Sequence, residues 1–301
     1  MRQDYPKTGV RVLCRLFGKT RHAFYDREWR DEKQFIEHAI VLKLVGEIRQ
    51  DMPRLGTDKL YLLLKKPLED HKIKLGRDGL HELLFQHGLT VRRKRRRAIT
   101  TDSNHPFRKY PNLIRNLLIT APDQLWVCDI TYITLQSGFS YLSLITDGYS
   151  RKIIGYCLSK SLSNEGCITA LNMAIASRSS DIIQLIHHSD RGLQYCSQQY
   201  IELLIQSNIL ISMTEKGDPY ENAVAERVNG ILKTELGLGD TFLNHNVASQ
   251  AVKASIAIYN EKRPHASCDY LTPIQAHQHT GPLAKRWKHK PLKIYEQINS
   301  D

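Results

Sequence analysis

Several common sequence signals are missing here, and each absence excludes a class of protein. No stretch approaches the ~20 consecutive apolar residues that a transmembrane helix needs. The N-terminus lacks a charged segment followed by an apolar one, so we expect no secretory signal peptide. The six cysteines form no Cys-x-x-Cys pair, which indicates a reducing compartment and core packing instead of disulfides or a zinc site. No solenoid-type repeat is visible.

Acidic residues are also scarce relative to basic ones. The chain has 43 Lys and Arg against 31 Asp and Glu, which gives a formal net charge of +12. This excess predicts a polyanionic partner. The 301 residues exceed the size at which single hydrophobic cores usually divide, so two or more domains are expected.

Two aspartates lie in segments typical of an α/β sheet. Asp129 is in the middle of residues 125–135, whose Trp, Val, Ile, Thr and Tyr content predicts a β-strand. Asp190 follows a short apolar run at 182–186, which predicts a buried parallel strand. Ligands in open α/β sheets bind beyond the carboxyl ends of such strands, so Asp190 is predicted to lie at a ligand site.

A third acid, Glu226, belongs to a predicted helix. Asp218 can cap this helix, and Pro219 suits its first position. Helical spacing puts Val224, Val228, Ile231 and Leu232 on one side and four polar residues on the other. Those four are Asn222, Glu226, Asn229 and Lys233. Lys233 therefore shares a face with Glu226, where it could hold a DNA phosphate as a point charge.

Carboxylates from separate segments are suited to phosphodiester chemistry with Mg²⁺. This ion prefers oxygen ligands, and two ions roughly 4 Å apart can activate the attacking oxygen and stabilise the leaving oxygen. Our hypothesis is that Asp129, Asp190 and Glu226 meet in space and hold two Mg²⁺ or Mn²⁺ ions that serve to cut and join DNA. Taken alone, each acid is more often a turn, edge or surface residue. Asp147, in an Asp-Gly pair, is predicted to form an ordinary turn.

The N-terminal hundred residues predict only helices. Residues 1–50 are expected to hold a small helix-turn-helix, with Thr20 capping a helix that ends near Tyr25, and then a connecting helix at 32–50. The alternative is a helical hairpin that packs on its neighbours.

Further helices are predicted within residues 51–98. They are expected at 57–65, where Pro67 stops the first, and from Asp78 to His87, where Gly88 closes the second. A purely structural bundle is compatible with this pattern.

A run of six cations ends this region. Consecutive like charges repel one another, and neutralising DNA phosphates is their natural use, although a solvated charge run is the usual alternative. The six residues are Arg92, Arg93, Lys94, Arg95, Arg96 and Arg97.

Three further segments follow the basic run. Residues 99–123 are predicted to be a linker, residues 124–276 a catalytic core, and residues 277–301 a basic tail that is either disordered or in non-specific contact with DNA. Near the end of the core, Arg263 either holds a phosphate or pairs with an acid of the core.

Four motifs together resemble a known family. They are Trp126-Val127-Cys128-Asp129-Ile130-Thr131-Tyr132, His188-Ser189-Asp190-Arg191-Gly192, Asn222-Ala223-Val224-Ala225-Glu226, and Tyr259-Asn260-Glu261-Lys262-Arg263-Pro264-His265 with Leu271-Thr272-Pro273. In this order and at this spacing the chain resembles the OrfB-type DDE transposases of the insertion-sequence-three family, in the retroviral-integrase superfamily. It departs from that family at Arg227-Val228-Asn229-Gly230, where a serine and aromatics are more usual, and at Ala266-Ser267-Cys268-Asp269.

The resemblance implies a fold, an activity and partners. The fold would be an RNase H-like, five-stranded mixed sheet with flanking helices, preceded by an all-α DNA-binding region. Within that region, residues 51–98 resemble the family's second helix-turn-helix, which would hold the element's end by phosphate and groove contacts. The activity would be cleavage and strand transfer at the inverted-repeat ends of an insertion sequence, with Asp129, Asp190 and Glu226 as catalytic metal ligands. The implied partners are double-stranded DNA, further copies of the chain and an OrfA product, in the bacterial cytoplasm and at the nucleoid.

Two alternatives from other functional classes remain open at this point. An RNase H-like nuclease would cut DNA without joining it, but the paired helix-turn-helix regions and the basic run argue against that reading. A transposase-derived DNA-binding regulator would need no catalysis, and the intact acids argue against it.

Overall fold

The computed structural model describes residues 6–91, 108–115, 117–178, 184–215 and 222–284. The chain divides into two compact units, residues 1–93 and 94–301. The basic run and the predicted basic tail from residue 285 onward lie outside the described residues. Among the helices that the structure describes, none combines the length and apolar character needed to cross a membrane.

The first unit is all-helical, as expected. Its helices are α1 (Val10–Leu16), α2 (Arg21–Asp51), α3 (Thr57–Asp70) and α4 (Arg77–Gln86). Val41 and Val45 of α2 are buried together with leucines of α3 and α4, so these three helices share one small core.

The separate helices predicted up to Tyr25 and from residue 32 are in fact one helix, α2. Thr20 caps it as predicted, because its Oγ1 accepts a hydrogen bond of 3.0 Å from the Ala23 amide. No Gly or Pro interrupts the residues between the two predicted segments. An ion pair one turn apart, Arg27–Asp31 at 3.7 Å, also lies across the expected break. One continuous helix is therefore favoured over two separate helices.

Different residues end α3 and α4, and only one of the two predicted ends is observed. The prediction that Pro67 stops α3 is wrong, since the helix continues to Asp70 and buries Leu68 beyond the proline. Lys72, with φ of 56°, ends it instead. Gly88 closes α4 as predicted, in a left-handed conformation with φ of 66° that glycine adopts without steric cost.

The second unit is built on a five-stranded mixed sheet, which confirms the expected architecture. The strands are β1 (Leu125–Leu135), β2 (Gly138–Asp147), β3 (Ile153–Ser159), β4 (Leu185–Ser189) and β5 (Ile209–Met213). Their order is β3-β2-β1-β4-β5, antiparallel among the first three and parallel from β1 through β4 to β5. β1 has the predicted bounds. β4 extends three residues beyond the predicted run, so Asp190 follows it directly.

Helices cover both faces of this sheet. They are α5 (Asn164–Ala176), α6 (Gln198–Gln206), α7 (Ala223–Thr234), α8 (His245–Glu261) and α9 (Pro273–Ala276). Alternation along β1 sends Trp126 and Cys128 into the core with α5 and α6, and Leu125 and Val127 into a second cluster with α7. Asp129 continues the Val127 series and so lies on the α7 side.

The described part of the predicted linker lies against this sheet. The Leu113 amide donates to Ser212 Oγ at 2.9 Å, and the Met213 amide donates to the Pro111 carbonyl at 3.3 Å. Ile114 and Ile119 pack on the cluster under α7. This segment therefore adds apolar cover to the sheet beside the parallel strands.

The tyrosine and asparagine of the C-terminal motif hold the β2–β3 connection. The Asn260 side chain accepts a hydrogen bond from the Ile153 amide and donates one to the Ile153 carbonyl, each at 2.9 Å. The buried Tyr259 hydroxyl donates to the carbonyl of Arg151, a residue with φ of 66°. Both contacts fix α8 to the start of β3.

Gly155 of β3 marks the closest approach of the sheet to α5. A Cβ at this position would overlap the Ala170 carbonyl oxygen and lie 3.1 Å from Ala174 Cβ. We predict that Gly155→Ala lowers the free energy of unfolding by about 1–3 kcal/mol or more, because backbone atoms would have to move. Chemical denaturation monitored by circular dichroism measures this change.

Gly230→Ala is the matched control. A Cβ added to this helical glycine of α7 would meet no atom of the described residues within 4 Å outside its own helix backbone, so alanine should raise stability there by about 0.5–1 kcal/mol. Equal stability of the Gly155→Ala variant and the unsubstituted protein would contradict the close packing of α5 on β3.

Candidate active site

Parallel pairing of β1 with β4 brings Asp129 and Asp190 to the same level of the sheet. The register pairs Val127 with His188, and the two aspartates each lie two residues further along their chains. Asp129 Oδ1 accepts the Ile130 amide at 2.9 Å, and Asp190 Oδ1 accepts the Gly192 amide at 3.0 Å. Backbone hydrogen bonds therefore restrain both carboxylates.

The two asparagines on the polar side of α7 are buried against β1, whereas the spacing placed that side opposite the apolar face of the helix. Asn229 Nδ2 donates to Asp129 Oδ2 at 2.6 Å, and Asn222 Nδ2 donates to the Cys128 carbonyl at 2.9 Å. Glu226 lies between the two asparagines on the same stripe and is exposed. The helix begins at Ala223, and the predicted cap Asp218 with Pro219 lies outside the described residues.

The charged side chains of this site interact electrostatically with Asp129. The pKa of Asp129 is raised to about 7, first by burial and then by the nearby charge of Asp190, with a smaller contribution from Glu226. The hydrogen bonds from Asn229 and Ile130 partly offset this rise. Burial lowers the pKa of Lys233, and the charge of Asp129 opposes that shift. Asp129 is thus the centre of a like-charged group with a lysine within electrostatic reach.

The three acids differ in how strongly they interact with one another. No group of three His, Cys, Asp or Glu side chains in the described ranges is close enough to form a metal-ligand cluster. Asp129 and Asp190 are adjacent, whereas Glu226 makes the smallest contribution to the raised pKa of Asp129. Joint ligation by the three carboxylates stays a prediction.

A buried polar network lies on the other side of β1. His187 Nε2 is 2.8 Å from both Cys128 Sγ and the Tyr200 hydroxyl, and all three residues are fully buried. Burial, followed by the nearby His188, lowers the pKa of His187 to about 3, so this imidazole is neutral. His187 therefore supports the sheet beneath Asp129 and Asp190 from the α6 side.

Asn229 and Asn222 are the site residues that sequence reasoning left without a role. Helical spacing had placed both on the face of Glu226, so the signal was present. Their contacts with β1 depend on how close α7 lies to the sheet, which no local pattern specifies.

Asp147 is a turn residue, as predicted. Its buried carboxylate accepts hydrogen bonds from the amides of Asp123, Tyr149 and Ser150 and from the Ser150 hydroxyl, at 2.7–3.2 Å. With its oxygens taken by the turn, Asp147 shapes the end of β2 and is no fourth catalytic acid.

The assignment of Arg263 to DNA binding requires correction. Only 1% of its side chain is exposed, and its guanidinium forms two hydrogen bonds with Glu235, Nε to Oε2 at 2.8 Å and Nη2 to Oε1 at 3.0 Å. Of the two roles considered from the sequence, pairing with an acid is the one observed. The buried fork geometry leaves no face for a phosphate.

Comparison with known proteins identifies the class of the second unit. Two models described as integrase core domain match residues 119–219 and 207–273. Asp129 and Asp190 lie in the first matched range, and Glu226 lies in the second. The sheet and the candidate site therefore belong to an integrase core.

Relatives identify the family. An insertion element IS600 protein of 31 kDa from Shigella sonnei is 35% identical over 87% of this chain and 96% of its own length. The protein assigned as transposase of insertion sequence element IS986/IS6110 from Mycobacterium tuberculosis (strain ATCC 25177 / H37Ra) is 30% identical over 76% and 86%. Transposase InsF for insertion sequence IS3A from Escherichia coli K12 is 29% identical over 88% and 93%. The chain belongs to the insertion-sequence-three family of DDE transposases.

The buried pairing of Arg263 generates a stability prediction. Glu235→Ala removes the carboxylate from a guanidinium that has almost no access to water. We expect the free energy of unfolding to fall by about 3–5 kcal/mol, the usual cost of leaving a buried charge unpaired. Thermal or urea denaturation measures it.

Glu261→Ala is the control, because Glu261 is an exposed glutamate two residues before Arg263. Its effect should stay within about 0.5 kcal/mol. A Glu235→Ala variant as stable as this control would show that Arg263 is not held by the ion pair.

Proposed function

We propose that Asp129, Asp190 and Glu226 are the catalytic residues of this transposase. The observation that carries the proposal is the adjacency of Asp129 and Asp190 on parallel strands, with α7 presenting Glu226 on the stripe that contacts Asp129. In metal-dependent phosphoryl transfer, acids from separate segments serve as ligands. The groups that donate to Asp129 are amides, and His187 on the opposite side of β1 is neutral and buried.

The oxygen ligands that these residues offer are the type that Mg²⁺ or Mn²⁺ prefers, and we propose that two ions bind per site. The pKa of Asp129 is raised by burial and by repulsion between like charges. A divalent cation bound nearby would relieve that repulsion. Asp129 and Asp190 would hold the ions, with Glu226 completing the ligand set. Bound ions supply activation of the attacking oxygen and stabilisation of the leaving oxygen.

The protein's own groups then have distinct tasks. Hydrogen bonds from the Ile130 and Gly192 amides orient the two aspartates before DNA arrives. Lys233, half-buried and within the field of Asp129, would hold a phosphate of the DNA beside the site. Preorganised charges of this kind lower the barrier because they need little rearrangement during the reaction.

The proposed substrate is double-stranded DNA at the inverted-repeat ends of the element. Water attacks a phosphodiester and exposes a 3′ hydroxyl, which attacks a second phosphodiester and displaces its 3′ oxygen. Each step replaces one P–O bond with another, so no covalent protein–DNA intermediate is needed.

The remaining partners follow from this substrate. Two ends must be held together, so we propose a homo-oligomer, and we propose an OrfA product as a further partner. We propose that the element ends are bound by the helical segments in residues 1–50 and 51–98 and by the basic run Arg92–Arg97. A protein acting on a bacterial chromosome would work in the cytoplasm at the nucleoid.

Neutral replacements of the acids test the catalytic assignment. Asp129→Asn, Asp190→Asn and Glu226→Gln should each reduce strand cleavage and strand transfer by at least on the order of 10²–10³-fold, since each removes charge needed at the reacting phosphate. Cleavage and joining are measured on labelled duplexes with matched element ends, with Mg²⁺ or with chelator present. Glu165→Gln, an exposed residue on α5, is the control. Full activity of Asp190→Asn would overturn the assignment.

Replacing all six residues of the basic run by glutamine tests whether the run binds DNA phosphates. Each phosphate contact contributes about 0.9 to the slope of log affinity against log salt. We therefore expect weaker binding and a slope shallower by up to about 5, measured by fluorescence anisotropy between 50 and 200 mM salt as a practical range. An unchanged slope would mean that the run is only solvated.

A further inference from the structure

Two buried amide oxygens, one on the residue that precedes α7 and one within α7, lack hydrogen-bond partners in the part of the chain that the structure describes. They are Asn222 Oδ1 and Asn229 Oδ1, on side chains that are only 7% and 6% exposed. A buried carbonyl oxygen without a partner is destabilising, so such atoms in a folded protein require an explanation.

The orientation of each amide is fixed by the group on its other end. Asn229 Nδ2 faces a carboxylate oxygen of Asp129, and Asn222 Nδ2 faces the Cys128 carbonyl. The Cys128 carbonyl is an acceptor, and so is the ionised carboxylate of Asp129, so the NH₂ group of each asparagine points at its partner. The orphaned atoms must therefore be the carbonyl oxygens, which remain available as acceptors.

The Asn229 contact also organises Asp129. One oxygen of Asp129 accepts the Ile130 amide and the other accepts Asn229 Nδ2, so each oxygen keeps one further lone-pair direction. A donor on each oxygen fixes the rotation of the carboxylate. The remaining lone pairs of Asp129 therefore point in set directions.

We propose that Asn229 is a positioning residue for the ion site, holding Asp129 through its amide nitrogen while its orphaned oxygen accepts a hydrogen bond from ion-bound water. This inference rests on the proposed function of Asp129 and Asp190. Mg²⁺ and Mn²⁺ keep several waters when bound to proteins, so nearby acceptors are part of such sites. Asn222 Oδ1, seven residues earlier on the same stripe, offers a second acceptor of the same kind.

Asn229 stands in the segment Arg227–Gly230 of α7. Its neighbour Arg227 is exposed and Val228 is buried in the core, so Asn229 is the residue of this segment that reaches the carboxylates.

Mn²⁺ binding to the full chain without DNA tests the proposal. Asn229→Leu keeps the branched shape and the number of side-chain heavy atoms and removes both the donor and the acceptor. We expect its dissociation constant for Mn²⁺, measured by electron paramagnetic resonance of the free ion, to rise about 10–100-fold. Thr234→Val, an equally small change on the exposed side of α7, should bind Mn²⁺ like the unsubstituted protein.

Asn229→Asp separates positioning from packing. It retains an oxygen but places a second carboxylate against Asp129, so the ion-free protein should melt at a lower temperature. Added Mn²⁺ should then raise the melting temperature more than it does for the unsubstituted protein. If Asn229 only fills space, Asn229→Leu will bind Mn²⁺ normally and the Mn²⁺-induced shift of Asn229→Asp will be unchanged.

Asp190→Asn separates the role of Asn229 from the existence of the ion site. Loss of Mn²⁺ binding in Asp190→Asn with unchanged binding in Asn229→Leu would overturn the inference and leave the proposed ion site standing. Mn²⁺ binding that is unaffected by both Asp190→Asn and Asp129→Asn would overturn the ion site itself.

Discussion

The parallel pairing of β1 with β4 is the constraint on which the rest of the site depends. It places Asp129 beside Asp190 and thereby brings two carboxylates together in the middle of the strand order. Burial and then the charge of Asp190 disfavour the ionised form of Asp129, and both raise its pKa. This electrostatic cost is balanced by packing on both sides of the strand, with Trp126 and Cys128 buried toward α5 and α6 and Val127 buried toward α7.

Much of this arrangement could be predicted from the sequence. The bounds of β1 follow from its β-branched and aromatic residues, and the polar stripe of α7 follows from helical spacing. Local stop signals were less reliable. Pro67 does not end α3, because burial of Leu68 in the next turn outweighs the lost hydrogen bond. Likewise α2 is unbroken, since nothing between its two predicted parts disfavours helix.

The parts that could not be predicted are contacts between distant segments. Nothing local indicates that Asn229 meets Asp129, one hundred residues earlier, or that Arg263 meets Glu235. An arginine in a motif near the end of a DNA-binding protein suggests a phosphate contact, and only burial distinguishes that role from an internal ion pair. Tertiary packing decides such cases because the same residue type serves both purposes.

The C-terminal motif illustrates how a family signature can be structural. Asn260 bonds both backbone groups of Ile153, Tyr259 bonds the Arg151 carbonyl, and Arg263 bonds Glu235 just after α7. These contacts tie α8 to the start of β3 on one side and to the end of α7 on the other. Since α7 carries Glu226, Asn229 and Lys233, the motif determines where those side chains lie relative to β1. A residue remote from the proposed catalytic acids can thus affect them because it sets the position of α7.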